Sequence, residues 1–286
     1  MKIAIITDIH HGPLSHNKKA GWSALPVVDR FVDHARAIGA DLLLDLGDHI
    51  SDTTREADRA VMAEVVERLA RFEGERVHVL GNHDVANLSI EDNEEIFGSS
   101  MRSRVVDLGA LRLIAWQPDV RLIRGKGFNP AQPHLEWLVE ALLADERPAI
   151  IATHVPVSGH SQVGNYYFEG APEYATYPDH AEVRRAVEET GRAAMWLSGH
   201  VHWNTLTNVR NVKHITVQSL SERFTTGEDP AEAFAELEIA DGRFALRVHG
   251  NDPIELSLPF HRSADRPWIA PRSSARPAVT PEPAGA

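Results

Sequence analysis

Apolar residues recur along the chain in two rhythms. Short continuous runs at 2–7, 41–46, 76–80, 149–153 and 193–197 are aliphatic and β-branched, as the buried strands of a parallel sheet are. Segments at about 26–38, 56–72, 133–144 and 181–189 instead space their apolar residues three and four apart, the pattern of helices with one buried face. Further strands are expected at 104–107, 111–116, 205–209, 214–219, 234–239 and 244–249, so the second half is richer in strands. Such alternation predicts an α/β layer architecture.

Three stretches depart from these rhythms. Residues 85–103 form a polar excursion with no expected element. Residues 158–179 carry Tyr166, Tyr167, Phe168, Tyr174 and Tyr177 without a steady period and are too long for a simple connection. They read as a lid or binding loop, or as an aromatic cover over the second sheet. Beyond Arg262 the chain becomes rich in Pro, Ala and Ser. The expected organisation is one domain over 1–262 and a C-terminal tail over 263–286, extended or disordered.

At 286 residues, 43% apolar and 24% charged, the chain can bury a sizeable core. It contains no cysteine, which excludes disulfides, thiolate zinc sites and a cysteine nucleophile. The formal charge of -12 disfavours non-specific nucleic-acid binding, which depends on Lys and Arg neutralising phosphates. No run approaches the roughly 20 apolar residues of a membrane span. The N-terminus turns acidic at Asp8 after one short apolar run, unlike a signal peptide, so the expected compartment is the cytoplasm.

Polar residues with ligating chemistry collect after the predicted strands. Asp8-Ile9-His10 follows the first, Gly47-Asp48 the second and Gly81-Asn82-His83-Asp84 the third; His154 and Gly199-His200-Val201-His202 follow two later ones. Loops at strand carboxyl ends converge while the sheet holds them rigid, which is where α/β proteins place ligands. Carboxylate, imidazole and amide together suit Mn, Fe, Zn or Ni better than Ca or Mg. Seven donors are too many for one ion. Two ions about 3.5–4 Å apart, bridged by a carboxylate, use them all and suit in-line phosphoryl displacement.

Among the 16 histidines most must be incidental, His34, His78, His134, His214, His249 and His261 included. His11 competes with His10, but adjacent side chains diverge and the motif selects His10. Asp45 reads as a buried acid satisfied by hydrogen bonds. The basic run of His16, Lys18 and Lys19 reads as a solvated face without a role. His160, Asn165 and Tyr166 are the substrate-contact candidates.

These five blocks, in this order, resemble the calcineurin-like metallophosphoesterases, whose pattern is Asp-x-His, Gly-Asp, Gly-Asn-His-Asp or -Glu, a lone His, and Gly-His-x-His. The resemblance covers about 2–202. It implies a four-layer α/β/β/α sandwich of two mixed sheets flanked by helices. It also implies that Asp8, His10 and His202 hold one metal ion, Asn82, His154 and His200 the other, and that Asp48 bridges them. The nucleophile would be a hydroxide bridging the ions, and His83 would protonate the leaving group, with Asp84 fixing its orientation.

Within the family the short chain looks most like bacterial cyclic-nucleotide phosphodiesterases, although Thr153-His154-Val155-Pro156 stands where many carry His-His-Pro. The expected partner is a small-molecule phosphoester; phosphomonoesters and phospholipid or glycerophospho-diesters are the alternative substrates. A nuclease and a non-catalytic scaffold fit less well, given the acidic charge and the complete donor set. Homo-oligomerisation is left open.

Overall fold

The computed structural model describes residues 1–13 and 18–269. His16 and residues 270–286, most of the expected tail, lie outside that description. The N-terminal half opens with β1 (Lys2–Ile6), α1 (Ala24–Ala37), β2 (Leu42–Asp45), α2 (Arg55–Leu69), β3 (Glu75–His78) and α3 (Ile90–Phe97). Strands β4 (Arg104–Asp107) and β5 (Arg112–Ala115), a small hairpin of β6 (Leu122–Ile123) and β7 (Gly127–Phe128), α4 (Leu135–Leu143) and β8 (Ala149–Ala152) follow. Then come α5 (His180–Glu189), β9 (Ala193–Ser198), β10 (Thr205–Val209), β11 (Val212–Thr216), β12 (Phe234–Ala240), β13 (Arg243–His249) and β14 (Ile254–Pro259).

The strands build two six-stranded mixed sheets, ordered β14-β13-β12-β1-β2-β3 and β10-β11-β9-β8-β5-β4. In the first, β1, β2 and β3 run parallel; in the second, β11, β9, β8 and β5 do. Alternate residues of each strand face opposite ways. Ile3, Ile5, Leu42 and Leu44 therefore meet Leu113, Ile150, Met195 and Leu197 in a core between the sheets. Ala4, Ile6 and Leu43 face the other way, against Phe31, Val32, Val65 and Leu69 of α1 and α2. On the far side Ile151 and Trp196 pack on Leu138 and Leu142 of α4 and Val183 and Val187 of α5. The result is the expected α/β/β/α sandwich.

Local chemistry explains the elements and the differences from expectation. Helix α1 buries Ala24, Val27, Val28, Phe31, Val32 and Ala35, a single stripe at helical spacing. Helix α3 occupies the supposed polar excursion. Its eight residues are held by a capping box between Ser89 and Asp92 and end at Gly98 in a left-handed conformation (φ 64°). Strand β14, also unexpected, is an edge strand whose Ile254, Leu256 and Leu258 are only partly buried against the central core. The β6–β7 hairpin is too short for any periodicity to show. Strand β11 ends at Thr216 rather than 219, because 217–221 leave the ladder to support the site described below. The boundary expected after Arg262 falls inside bonded structure, since Arg262 donates to Glu146 O (2.9 Å) and Asn211 to Arg266 O (3.2 Å).

Arg112 at the start of β5 is buried and donates to four carbonyls around the C-terminus of α4: Ala141 (2.6 Å), Leu142 (3.0 Å), Asp145 (2.9 Å) and Arg147 (3.3 Å). Helix ends leave such carbonyls without internal partners. Arg112→Ala is expected to destabilise the protein by about 3 kcal/mol, the cost of stranding buried acceptors of a charged donor. Urea unfolding would measure it, and an unchanged midpoint would contradict the capping role.

Candidate metal centre

All seven proposed ligands lie just beyond the carboxyl ends of parallel strands, Asp8 and His10 after β1, Asp48 after β2, Asn82 after β3, His154 after β8, and His200 and His202 after β9. Because both sheets point these ends the same way, five loops meet at one edge of the sandwich. The loops are tied together. Asp8 N donates to Gly47 O (2.9 Å) and His10 N to Asp48 O (3.0 Å). His200 N donates to Asp8 Oδ2 (2.9 Å), and Ser219 Oγ to Asp8 O (2.8 Å).

Five of these residues hold backbones that side chains disfavour. Asp8, His10, Asp48, His200 and His202 have φ of 49°, 49°, 56°, 70° and 64°. Left-handed non-glycine residues cost on the order of 1–3 kcal/mol each and cluster where function demands a particular direction of the side chain. Gly199 serves the same convergence, since a Cβ there would collide with Thr7 Oγ1 and Asp8 Oδ2.

Ligand atoms of Asp8, His10, Asp48 and His202 lie within 4.8 Å of one another, as do those of Asp48, His154 and His200. Asp48 belongs to both groups. Asp8 Oδ1, Asn82 Oδ1 and His154 Nε2 are buried without hydrogen-bond partners, and His10 Nε2 faces His202 Nε2 at 3.0 Å. Buried polar atoms are normally partnered. Buried polar atoms left without partners among carboxylates and imidazoles are what a cation would satisfy, so the residues fit metal ions.

Outer partners set which ring nitrogen faces inward. His154 Nδ1 donates to Leu46 O (2.8 Å) and His202 Nδ1 to Glu222 Oε2 (2.7 Å), leaving each Nε2 for a metal. His200 uses Nε2 on Tyr174 O (2.7 Å), leaving Nδ1. Burial pushes His200 down to about 3, helped by neighbouring His154, so its ring is neutral with a lone pair to offer. His154 is raised to about 9 although burial opposes it, because Asp48 and Asp8 favour positive charge there. A metal ion would replace that proton.

His83 stands beside the centre, its Nε2 4.0 Å from Asp48 Oδ2 and its ring perpendicular to that of His10 at 4.8 Å. Its orienting acid is Asp52, which accepts from His83 Nδ1. Asp84, expected in that place, is instead buried below the loops. It accepts from the amides of Asp48 (2.9 Å), His49 (2.8 Å) and Gly81 (2.8 Å) and from His49 Nδ1 (2.8 Å). The backbone turns Asp84 back into its own loop, out of reach of the preceding ring. Asp52 and Glu222 are site residues that sequence reasoning missed, since neither lies in a spaced motif.

Other expectations are redistributed as well. Lys19, read as a solvated cation, is drawn into the site, Nζ 3.4 Å from both His10 Nδ1 and His83 Nε2. His11 bonds Glu64 (2.9 Å), outside the ligand groups. Tyr166 lines the cavity above the ligands. Asn165 does not; its side chain donates to Val201 O (3.0 Å) and accepts from the amides of Tyr167 and Phe168 (both 3.1 Å), shaping the loop. His160 faces a separate cavity and bonds Ser158 (2.6 Å) and Gln162 (3.0 Å).

Asp45 is fully buried and accepts from Gly47 N (3.1 Å), from His78 Nδ1 (3.0 Å) and from His49. Burial would raise its pKa, but His49 and His78 together hold the carboxyl well below the usual range. A depressed carboxyl contributes stability above the unfolded-state pKa of about 3.9, and loses it as pH falls through the folded value. Asp45→Asn is expected to cost about 3 kcal/mol at pH 7, as when one partner of a buried pair is removed. The gap from the wild type should narrow below about pH 4; a gap constant with pH in urea titrations would contradict the ionic role.

The sequence matches the family model for calcineurin-like phosphoesterases over residues 1–204. No curated protein matches it. Among solved structures, a dimetal phosphatase from Danio rerio superposes with a TM-score of 0.73 at 14% identity, covering 91% of this chain and 98% of the other. A purple acid phosphatase from yellow lupin gives 0.64 at 13% identity over 96% of this chain, which spans 57% of that enzyme. TT1561 of Thermus thermophilus gives 0.51 at 13% identity, over 86% and 92% of the two chains. These likenesses concern the fold, and no described helix is long and apolar enough to cross a membrane. With a family match over more than two thirds of its length, the chain belongs to the calcineurin-like phosphoesterases and is a metal-dependent phosphoester hydrolase.

Proposed function

We propose that the enzyme is a phosphodiesterase for small metabolites, with cyclic nucleotides as the favoured substrate class. The observation that carries this reading is the cavity above the ligands, of about 350 Å³. Asp48, Asn82, His200 and His202 lie on its metal side, and Leu122, Tyr166, Tyr167, Phe168 and Tyr174 form an apolar wall. Such a wall suits a flat ring that stacks. Lys19 is the one Lys or Arg among the described lining residues. A diester carries one negative charge, whereas a monoester carries nearly two at neutral pH, so the single ammonium matches the diester better.

Asp8, His10, Asp48 and His202 would hold one ion of the Mn, Fe or Zn class, and Asp48, Asn82, His154 and His200 the other. Bound ions would supply Lewis acidity toward phosphoryl oxygens and lower the pKa of water. The chain's own residues supply the proton and the positioning. Asp52 holds His83 by Nδ1, so that Nε2 faces the cavity and can pass its proton to the departing oxygen. Lys19 neutralises phosphate charge at the same edge, and the aromatic wall fixes the organic group so that the scissile bond faces His83.

The test is hydrolysis with Mn supplied, across cyclic nucleotides, glycerophosphodiesters, nucleotide pyrophosphates and phosphomonoesters. Cyclic nucleotides should show the highest kcat/KM. Tyr166→Ala should raise their KM about tenfold, the worth of one aromatic contact, with little effect on methyl p-nitrophenyl phosphate. A preference for monoesters would overturn the diesterase reading.

A further inference from the structure

The outer face of the first sheet carries a second group of ligating side chains. His34 comes from the C-terminal half of α1, Glu236 from β12 and His249 from β13, and their ligand atoms lie within 4.8 Å of one another. Alternation along the strands explains the meeting. Ala235, Leu237 and Val248 face the core between the sheets, so Glu236 and His249 face α1. Phe234 stacks on the His249 ring (5.1 Å, 24°) and lies 5.3 Å from that of His34, holding both imidazoles from one side.

Three observations separate this group from an ordinary cluster of ion pairs. His249 Nε2 is buried with no hydrogen-bond partner, 3.6 Å from Glu236 Oε2. His34 Nε2 approaches the same oxygen at 2.8 Å. Arg247 binds the other oxygen, Oε1, which orients the carboxylate and leaves Oε2 turned toward both rings. Burial, and next the nearby His34, push His249 below its usual value; burial would raise Glu236, but His34, His249 and Arg247 together hold it low. The donor set is thus a neutral imidazole, a carboxylate and a second imidazole. By contrast the buried Asp45, His49 and His78 are already satisfied by one another and by Asp84.

We propose that His34, Glu236 and His249 form a zinc-class metal site, separate from the catalytic centre, that clips α1 to the β12–β13 hairpin. Two imidazoles and a carboxylate with a fourth position open to water suit Zn, Ni or Co and disfavour Mg and Ca. On binding, His34 Nε2 becomes a ligand, and the proton it gives to Glu236 Oε2 moves to Nδ1 of the same ring. The ion replaces the His34–Glu236 hydrogen bond and gives His249 Nε2 its missing partner. None of these residues lines the catalytic cavity, so the site acts on stability.

The test uses the full chain stripped with chelator, reloaded with excess zinc and gel-filtered before metal analysis. The wild type should retain one zinc more than His34→Ala/His249→Ala, while both hydrolyse methyl p-nitrophenyl phosphate equally once reloaded with Mn. With the catalytic centre filled, zinc at a hundredfold its Kd should raise the unfolding midpoint of the wild type by about 5 °C or more and leave the variant unmoved. His249→Phe keeps the stacking on Phe234 and removes one ligand, and should give the same loss should the double variant fold poorly. Equal zinc content in wild type and His249→Phe, with equal midpoint shifts, would overturn the site.

Discussion

Asp48→Ala is expected to lose bound metal and to lower kcat/KM by at least about a thousandfold. Asp48 is the one side chain common to both ligand groups, and its Oδ2 lies 3.3 Å from His154 Nε2 and 3.7 Å from His10 Nε2. Its Oδ1 accepts from His83 N (2.8 Å), so the same carboxylate also anchors the loop that carries His83. Removing it leaves several imidazoles facing one another with their common anion gone. Both metal retention and the position of His83 should suffer, and a loss of two to four orders is what a single lost catalytic contribution already brings. Elemental analysis after gel filtration is the direct check. Near-normal metal content in a folded Asp48→Ala protein would remove Asp48 from the bridging position.

His83→Ala separates the proton from the metal. It should keep its metal content and lose about 10²- to 10⁴-fold in turnover on alkyl diesters, whose leaving groups need protonation. The loss should be much smaller on p-nitrophenyl diesters, whose leaving group departs as the anion. Asp52→Asn should follow the same pattern more mildly. In the wild type the hydrogen bond from His83, foremost, holds the Asp52 carboxyl below its usual range despite burial. An amide in its place can accept from the ring but brings no charge to favour the protonated form. Equal losses on both substrate classes would mean that His83 positions the substrate and does not supply a proton. A normal Asp52→Asn enzyme would return the orienting role to another group.

The Asp52 result shows where reading by motif stops. Asp84 adjoins His83 in the chain, and adjacency made it the natural partner. The loop after β3 turns Asp84 inward, onto the amides of Asp48, His49 and Gly81, whereas Asp52 arrives on a different loop four residues past Asp48. Lys19 was misread for a related reason. A short basic run tells nothing of which member is drawn inward; Lys19 enters the site where its backbone pairs with that of Glu222. Asn165 and His160 looked like substrate contacts because the loop is polar and aromatic together. Their hydrogen bonds are spent within the loop and, for Asn165, on Val201 O of the loop after β9, and of the three candidates only Tyr166 reaches the cavity.

By itself the sequence determined an α/β layer frame and the places where chemistry had to gather, and its family resemblance implied the division into two sheets. Continuous apolar runs mean strands buried on both faces, and parallel strands deliver their following loops to one edge. Asp8, His10, Asp48, Asn82, His154, His200 and His202 were legible because each is tied to a strand end by one or a few residues, a distance too short for the chain to redirect. The tertiary structure alone decided what depends on contacts between distant segments. It placed Glu222 behind His202 and Asp52 behind His83, and gathered His34, Glu236 and His249 from a helix and two strands onto one face. Nothing local records such meetings, because they are set by how sheets and helices stack, and that is a property of the packed core.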